Sequence, residues 1–253
     1  MTDKSSRESF QQIVFLIDSN PSFWGSNNSA DHAAKAIRLC VLRLLTYFSD
    51  YREEKRSNLR WGYKIFNSRS LSHQFERHDF KEFLVNAFEE FEDHVSKRLN
   101  ESFAQQWQEN ELEPKEQDDA ETTTFSKPAG GARCISFVFK NAVHDFQWER
   151  PDISSPVRRT RGNNNTLFYL NNRTDTHNVI FLLSGCPYDD DSISEFTGEN
   201  LSFLGTVEGF KSILMPSVLY KEFEERRICL HWVNISNYQQ EEVHVYFFTS
   251  VLM

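Results

Sequence analysis

The sequence predicts an α/β fold, a mostly parallel sheet flanked by helices. Three observations lead there. Short continuous apolar runs at 13–17 (IVFLI) and 179–183 (VIFLL) suit strands buried on both faces. Between them lie segments with apolar residues three or four apart, the spacing of one-sided helices. The two patterns alternate along the chain, which favours parallel pairing through crossovers.

The elements follow in order. Residues 1–11 are polar and are expected to be a flexible N-terminus, with 12–253 a single domain. The first strand ends at Asp18. Apolar positions 37, 40, 41, 44, 45 and 48 predict an amphipathic helix over 33–51, with Asp31 as its cap. Trp61, Tyr63 and Ile65, alternating with Gly62, Lys64 and Phe66, mark the second strand. Asp79 is expected to open a long helix whose apolar face holds Phe80, Phe83, Leu84, Ala87, Phe88, Phe91, Val95, Leu99 and Phe103. Residues 109–121 carry seven acidic side chains and one lysine. With 122–131 they form an acidic insert too polar to bury a core, expected to be disordered over about 109–131. A helix resumes near Ala132 and stops before Pro151, because proline disfavours helical geometry in the preceding residue. The third strand is 179–183, and a helix lies within 207–226, broken before Pro216. Segments 228–233 and 243–248 complete five strands.

Composition sets bounds on function. The chain has 253 residues, 39% of them hydrophobic, enough for one large domain or two small ones. A net charge of −9 argues against general phosphate binding. Cys40, Cys134, Cys186 and Cys229 form no CxxC pair and read as buried thiols in a reducing compartment. No apolar run approaches the roughly 20 residues of a membrane span. The N-terminal residues show no signal-peptide core, so a nuclear or cytosolic home without membrane is expected.

Candidate sites are few. In "DSNPSFWGS", Asp18, Asn20 and Ser22 alternate at the carboxyl end of the first strand, the edge where open α/β sheets bind ligands. Oxygen donors so spaced could hold magnesium. The plainer reading is that Asp18 and Ser22 bond loop amides. The stretch resembles the Asp-x-Ser-x-Ser metal loop of von Willebrand A domains, with Asn20 in place of the first serine and proline at position 21. No phosphate loop, dinucleotide fingerprint or GxSxG elbow occurs, and no catalytic residue is assigned. His144 and His231 read as packed or exposed side chains rather than bases. Trp148 is expected to anchor a helix end, with Pro151 as its stop. Ser155, followed by Pro156 and Arg158, fits the minimal target of cyclin-dependent kinases.

Five stretches carry a resemblance. They are "LRLLTYFS" at 42–49, "WGYKIFNS" at 61–68, "FQWERPDISSP" at 146–156, "VIFLLSGCP" at 179–187 and "RRICLHWV" at 226–233. In this order they resemble the N-terminal region of the treslin (TICRR) family over most of residues 12–235. The resemblance implies a von Willebrand A-like fold and a nuclear, non-enzymatic scaffold in the initiation of DNA replication, under cell-cycle and checkpoint control. It also implies MTBP-like and BRCT-repeat partners, cyclin-dependent kinase as regulator, and chromatin contact through other proteins. Treslin proteins are far longer, so it implies a fragment or short isoform. A shorter likeness, "DSNPSFWG" at 18–25, is to a von Willebrand A-like subunit of the transcription and repair factor TFIIH. That subunit's C-terminal zinc-binding cysteines have no counterpart here.

Mass spectrometry of protein from cycling cells is expected to find phosphate on Ser155 that disappears when cyclin-dependent kinases are inhibited. A consistently unmodified Ser155 removes the assignment.

Overall fold

Five consecutive residues of one strand, Ile13, Val14, Phe15, Leu16 and Ile17, are each 0% exposed. In a strand, neighbours point to opposite faces, so a run of this kind demands a layer on each side. A computed structural model shows both layers. It describes residues 9–24, 29–50, 57–67, 76–112, 135–148, 176–185 and 215–234.

The strands are β1 (Ser9–Asp18), β2 (Ser57–Phe66), β3 (Glu76–Glu82), β4 (Thr176–Ser184) and β5 (Ile228–Asn234). They form one sheet in the order β3-β2-β1-β4-β5. All neighbouring pairs are parallel except the antiparallel pair β2 and β3. The helices are α1 (Ala30–Asp50), α2 (Val85–Leu112), α3 (Ile135–Asp145) and α4 (Ser217–Glu225), with a short 3-10 turn at Pro21–Trp24.

Strand parity divides the core in two. Ile13, Phe15 and Ile17 join Trp61, Tyr63, Ile65, Val179, Phe181 and Leu183 beneath α1 and α2. Val14 and Leu16 join Phe66, Ile180, Leu182 and Trp232 beneath α3 and α4. On the first face Trp61 lies edge-on to Phe15 and Phe91, at ring distances of 6.3 and 5.6 Å. On the second, Lys64 is 2% exposed, and its ammonium reaches Asp145 of α3 at 2.5 Å. A buried ammonium is tolerated only when paired in this way.

Several expectations need correction. Residues 76–82 are an edge strand, and α2 starts at Val85 instead of Asp79. The helical spacing upstream of Val85 is coincidental. Phe80 packs against Phe146 and Trp148 of the other layer, while Leu84 is 59% exposed. Charge alternating with Phe80 suits an antiparallel edge, where exposed charges discourage further pairing. The cap of α1 is Ser29, not Asp31; its carbonyl accepts from the Ala33 N–H at 3.1 Å and its hydroxyl from the His32 N–H at 3.3 Å. Helix α2 runs to Leu112, so the first four residues of the expected insert are helical. Strand β1 begins at Ser9, inside the stretch expected to be flexible. Cys229 is exposed rather than buried. Cys134, Cys186, segment 243–248 and the rest of the insert lie outside the described residues.

Gly62 is fixed by close approach. A Cβ there would lie 2.7 Å from the His78 carbonyl oxygen and 2.8 Å from the Phe146 ring. The β2–β3 register shifts at the same place, between Trp61 and Tyr63. Between α4 and β5, Arg227 takes a positive φ of 51°. The Arg226 guanidinium donates to the Val143 carbonyl, joining α4 to α3.

Two substitutions check this packing by urea unfolding. Gly62→Ala is expected to destabilise by about 1–3 kcal/mol, through overpacking against backbone that cannot yield. Arg227→Gly is expected to stabilise by about 1 kcal/mol or less, by relieving left-handed backbone.

Candidate functional site

The sheet order reverses between β1 and β4. From β1 the chain moves outward to β2 and β3, then returns to lay β4 on the other side of β1. Open α/β sheets present their ligand crevice at such a switch point, beyond the carboxyl ends of the strands. Here those ends carry Asp18 and Ser184, which the register places side by side after the Ile17–Leu183 pair.

Both oxygens of Asp18 are engaged. Ser184 Oγ donates to Oδ2 at 2.9 Å, and the Asn20 N–H donates to Oδ1 at 3.0 Å. Asp18, Asn20 and Ser184 are 1%, 0% and 0% exposed. The Trp232 indole Nε1–H donates to the Ser184 carbonyl at 3.3 Å, bringing in β5. The Phe66 carbonyl accepts from both the N–H and the hydroxyl of Ser19, at 2.7 and 3.0 Å, bringing in β2. Ser102 of α2 donates to Ser19 Oγ at 3.2 Å. This network joins the carboxyl ends of four strands to one helix.

A magnesium site does not fit this arrangement well. It offers one carboxylate, already serving protein donors. Among the described residues, no group of three or more His, Cys, Asp or Glu could hold a metal ion. Ser22 lies in the 3-10 turn, and its side chain is outside the described set. What the geometry does chemically is lock: a buried carboxylate accepts from a strand hydroxyl and a loop amide, pinning the β1 loop to β4.

The other predicted positions fall elsewhere. Trp148 is 8% exposed, just beyond α3. Its indole N–H donates to the Ala142 carbonyl at 3.1 Å, and its ring meets Phe80 edge-on at 5.3 Å. The side chain therefore joins the end of α3 to the edge strand. Pro151 and Ser155 lie outside the described residues. His144 contacts Glu222 of α4 at 3.2 Å, and His231 stacks on Phe181 at 5.2 Å. Burial lowers the His231 pKa. Burial also pushes the Cys40 thiol up to about 11, which leaves it a poor nucleophile.

Sequence reasoning missed a polar aromatic cluster on the β2–β3–α2 side. Tyr63 stacks on His78 at 4.5 Å, and its hydroxyl lies 2.8 Å from His94 Nδ1. Beside it, Lys81 holds the exposed Glu90 carboxyl below its ordinary range through a hydrogen bond and charge. Opening the helix at Asp79 hid the cluster, because it left no strand to carry His78 beside Tyr63.

Comparison with known proteins decides the family. Residues 11–218 match the family described as "Treslin, N-terminal domain". The chain belongs to the treslin family. It is 26% identical to zebrafish (Danio rerio) treslin over 245 residues, covering 92% of this chain and 13% of that protein. It is 25% identical to Xenopus laevis treslin over 242 residues, covering 90% of this chain and 11% of the relative. Against mouse (Mus musculus) treslin the identity is 26% over 237 residues, 88% of this chain and 11% of the relative. The treslin-family match spans β1 through β4 and reaches the start of α4, so it covers the switch point and the Trp148 anchor. The chain thus corresponds to a small part of the length of these relatives.

Three substitutions test the site in thermal and urea unfolding. Asp18→Ala is expected to cost about 1–3 kcal/mol by stranding buried donors, with Ser184→Ala costing less. Trp148→Ala is expected to cost about 3–5 kcal/mol. Unchanged midpoints would show that none of the three residues holds the fold.

Proposed function

We propose that this chain is a protein-interaction platform acting in the initiation of DNA replication, and that it catalyses no reaction. Membership of the treslin family is the observation that carries the proposal. The fold is compatible with it. A sheet covered on both faces offers stiff helical surfaces and loops, and its switch-point polar groups are occupied by one another. The sheet order is compatible with a von Willebrand A-like architecture. In this reading the platform works in the nucleus with MTBP-like and BRCT-repeat partners, meets chromatin through them, and answers to cyclin-dependent kinase and checkpoint signals. A specific contact would bury about 1,200–2,000 Å² in total. No helix among the described residues is long and apolar enough to cross a membrane.

A second reading, a magnesium-dependent ligand module at Asp18, Asn20 and Ser22, rests on the position of Asp18 at the switch point. The engaged carboxylate weighs against it.

Affinity purification of the tagged 253-residue chain from nuclei of cycling cells is expected to recover replication-initiation proteins. Recovery of TFIIH in their place overturns the platform reading, as does turnover of a small molecule that one point substitution abolishes. Calorimetric titration with magnesium is expected to give no heat. Heat that vanishes with Asp18→Ala would instead support the ligand module.

A further inference from the structure

We infer that the outer edge of β5 is the docking site of residues 243–248 (VHVYFF) of the same chain, which pair with it antiparallel as a sixth strand. Occupied in this way, the edge is closed to strands of other proteins, whatever the platform's partners are.

The two sides of the sheet are built differently. Among the described residues, β3 ends the sheet on one side and β5 on the other. β3 (ERHDFKE) carries five charged side chains, a common protection of a terminal edge. β5 (ICLHWVN) carries no Lys, Arg, Asp or Glu and no proline. Ile228 and Trp232 are buried on the α3 and α4 side, and Val233 on the α1 and α2 side. Apolar side chains on both faces are the mark of an interior strand. An unprotected strand of this kind at the end of a sheet is a template for another chain.

The chain itself supplies the occupant. Eight residues, 235–242 (ISNYQQEE), separate β5 from 243–248. The segment VHVYFF is β-branched and aromatic, with no acidic or basic residue, glycine or proline. A parallel neighbour needs a connection of about a dozen residues or more, so eight return the chain antiparallel. So short a tether holds the segment at an effective concentration on the order of millimolar. A partner's strand or a second copy must compete with that.

Alternation sets the register. On β5, Leu230 and Trp232 face α3 and α4, while Cys229 and His231 stand opposite Val179 and Phe181 on the α1 side. In the segment, Val245 and Phe247 alternate with His244 and Tyr246. Setting Val243 opposite Asn234 brings Val245 to Trp232 and Phe247 to Leu230. His244 and Tyr246 then join Val233 and His231, where Cys229 is exposed and His231 half-buried. A slip of one residue would turn the valines away from the α3 and α4 side. Phe248 falls opposite Cys229, at a separation a disulfide can span.

The test is oxidation of Phe248→Cys and His244→Cys variants of the 253-residue chain, read by non-reducing peptide mass mapping. Phe248→Cys is expected to form an intramolecular bridge to Cys229 that disappears with Cys229→Ser, and His244→Cys to form none. A bridge from His244→Cys but not Phe248→Cys means parallel pairing and overturns the assignment. Bridges from both or from neither overturn it as well. A bridge between two chains shows a second copy on the edge and does the same. Hydrogen exchange of the wild-type chain gives a reading independent of any substitution. Amides of 243–248 are expected to exchange roughly tenfold or more slower than in the free peptide, at a rate unchanged on dilution. Exchange as fast as in the free peptide, or protection lost on dilution, overturns the sixth strand.

Discussion

Everything in this structure depends on a strand that meets no water. β1 has a helical layer against each face and a parallel strand along each edge. Its interior residues each contribute roughly 1.5–3 kcal/mol by leaving water. That gain is available only if α1 and α2 cover one side and α3 and α4 the other. The layer order follows from this requirement, and so does the return of the chain to place β4 beside β1.

Where the strand ends, apolar burial gives way to hydrogen bonds. Asp18 is the first charged group after the apolar run, and it stays buried because strand and loop donors satisfy it. Lys64 solves the same problem on β2 by pairing with Asp145. Both groups tie one element to another distant in sequence, so each polar exception doubles as a tether. A sheet edge knitted together in this way is well suited to holding a shape, which is what a platform for other proteins requires.

The parts legible in the sequence were those with one dominant cause. Residues 13–17 and 179–183 are short, continuous and apolar, as strands covered on both faces require, and the core face of α1 follows from its 3.6-residue period. Trp148 could be placed at a helix end because the pattern stops there. Edge strand β3 was not legible, because its single inward aromatic, Phe80, extends the spacing of the helix that follows. The position of Asp18 at the carboxyl end of the first strand is legible, yet whether its carboxylate faces a ligand or Ser184 depends on a residue 166 positions away. No local pattern contains that information. The Tyr63, His78 and His94 cluster was hidden for a related reason, since it unites three elements, one of which was assigned the wrong type.

The same long separation bears on how the molecule is made. During synthesis β1 can pair with β2 within some sixty residues, but its second edge waits for β4, which begins at Thr176. Until then an apolar strand keeps one flank of unsatisfied amides and carbonyls, the kind of surface that seeds misassociation. Such distant closure also slows folding, because chain entropy must be surrendered before the contacts that reward it can form. The nascent chain therefore carries its greatest vulnerability in its most protected strand, and a chaperone's help would matter most before β4 leaves the ribosome.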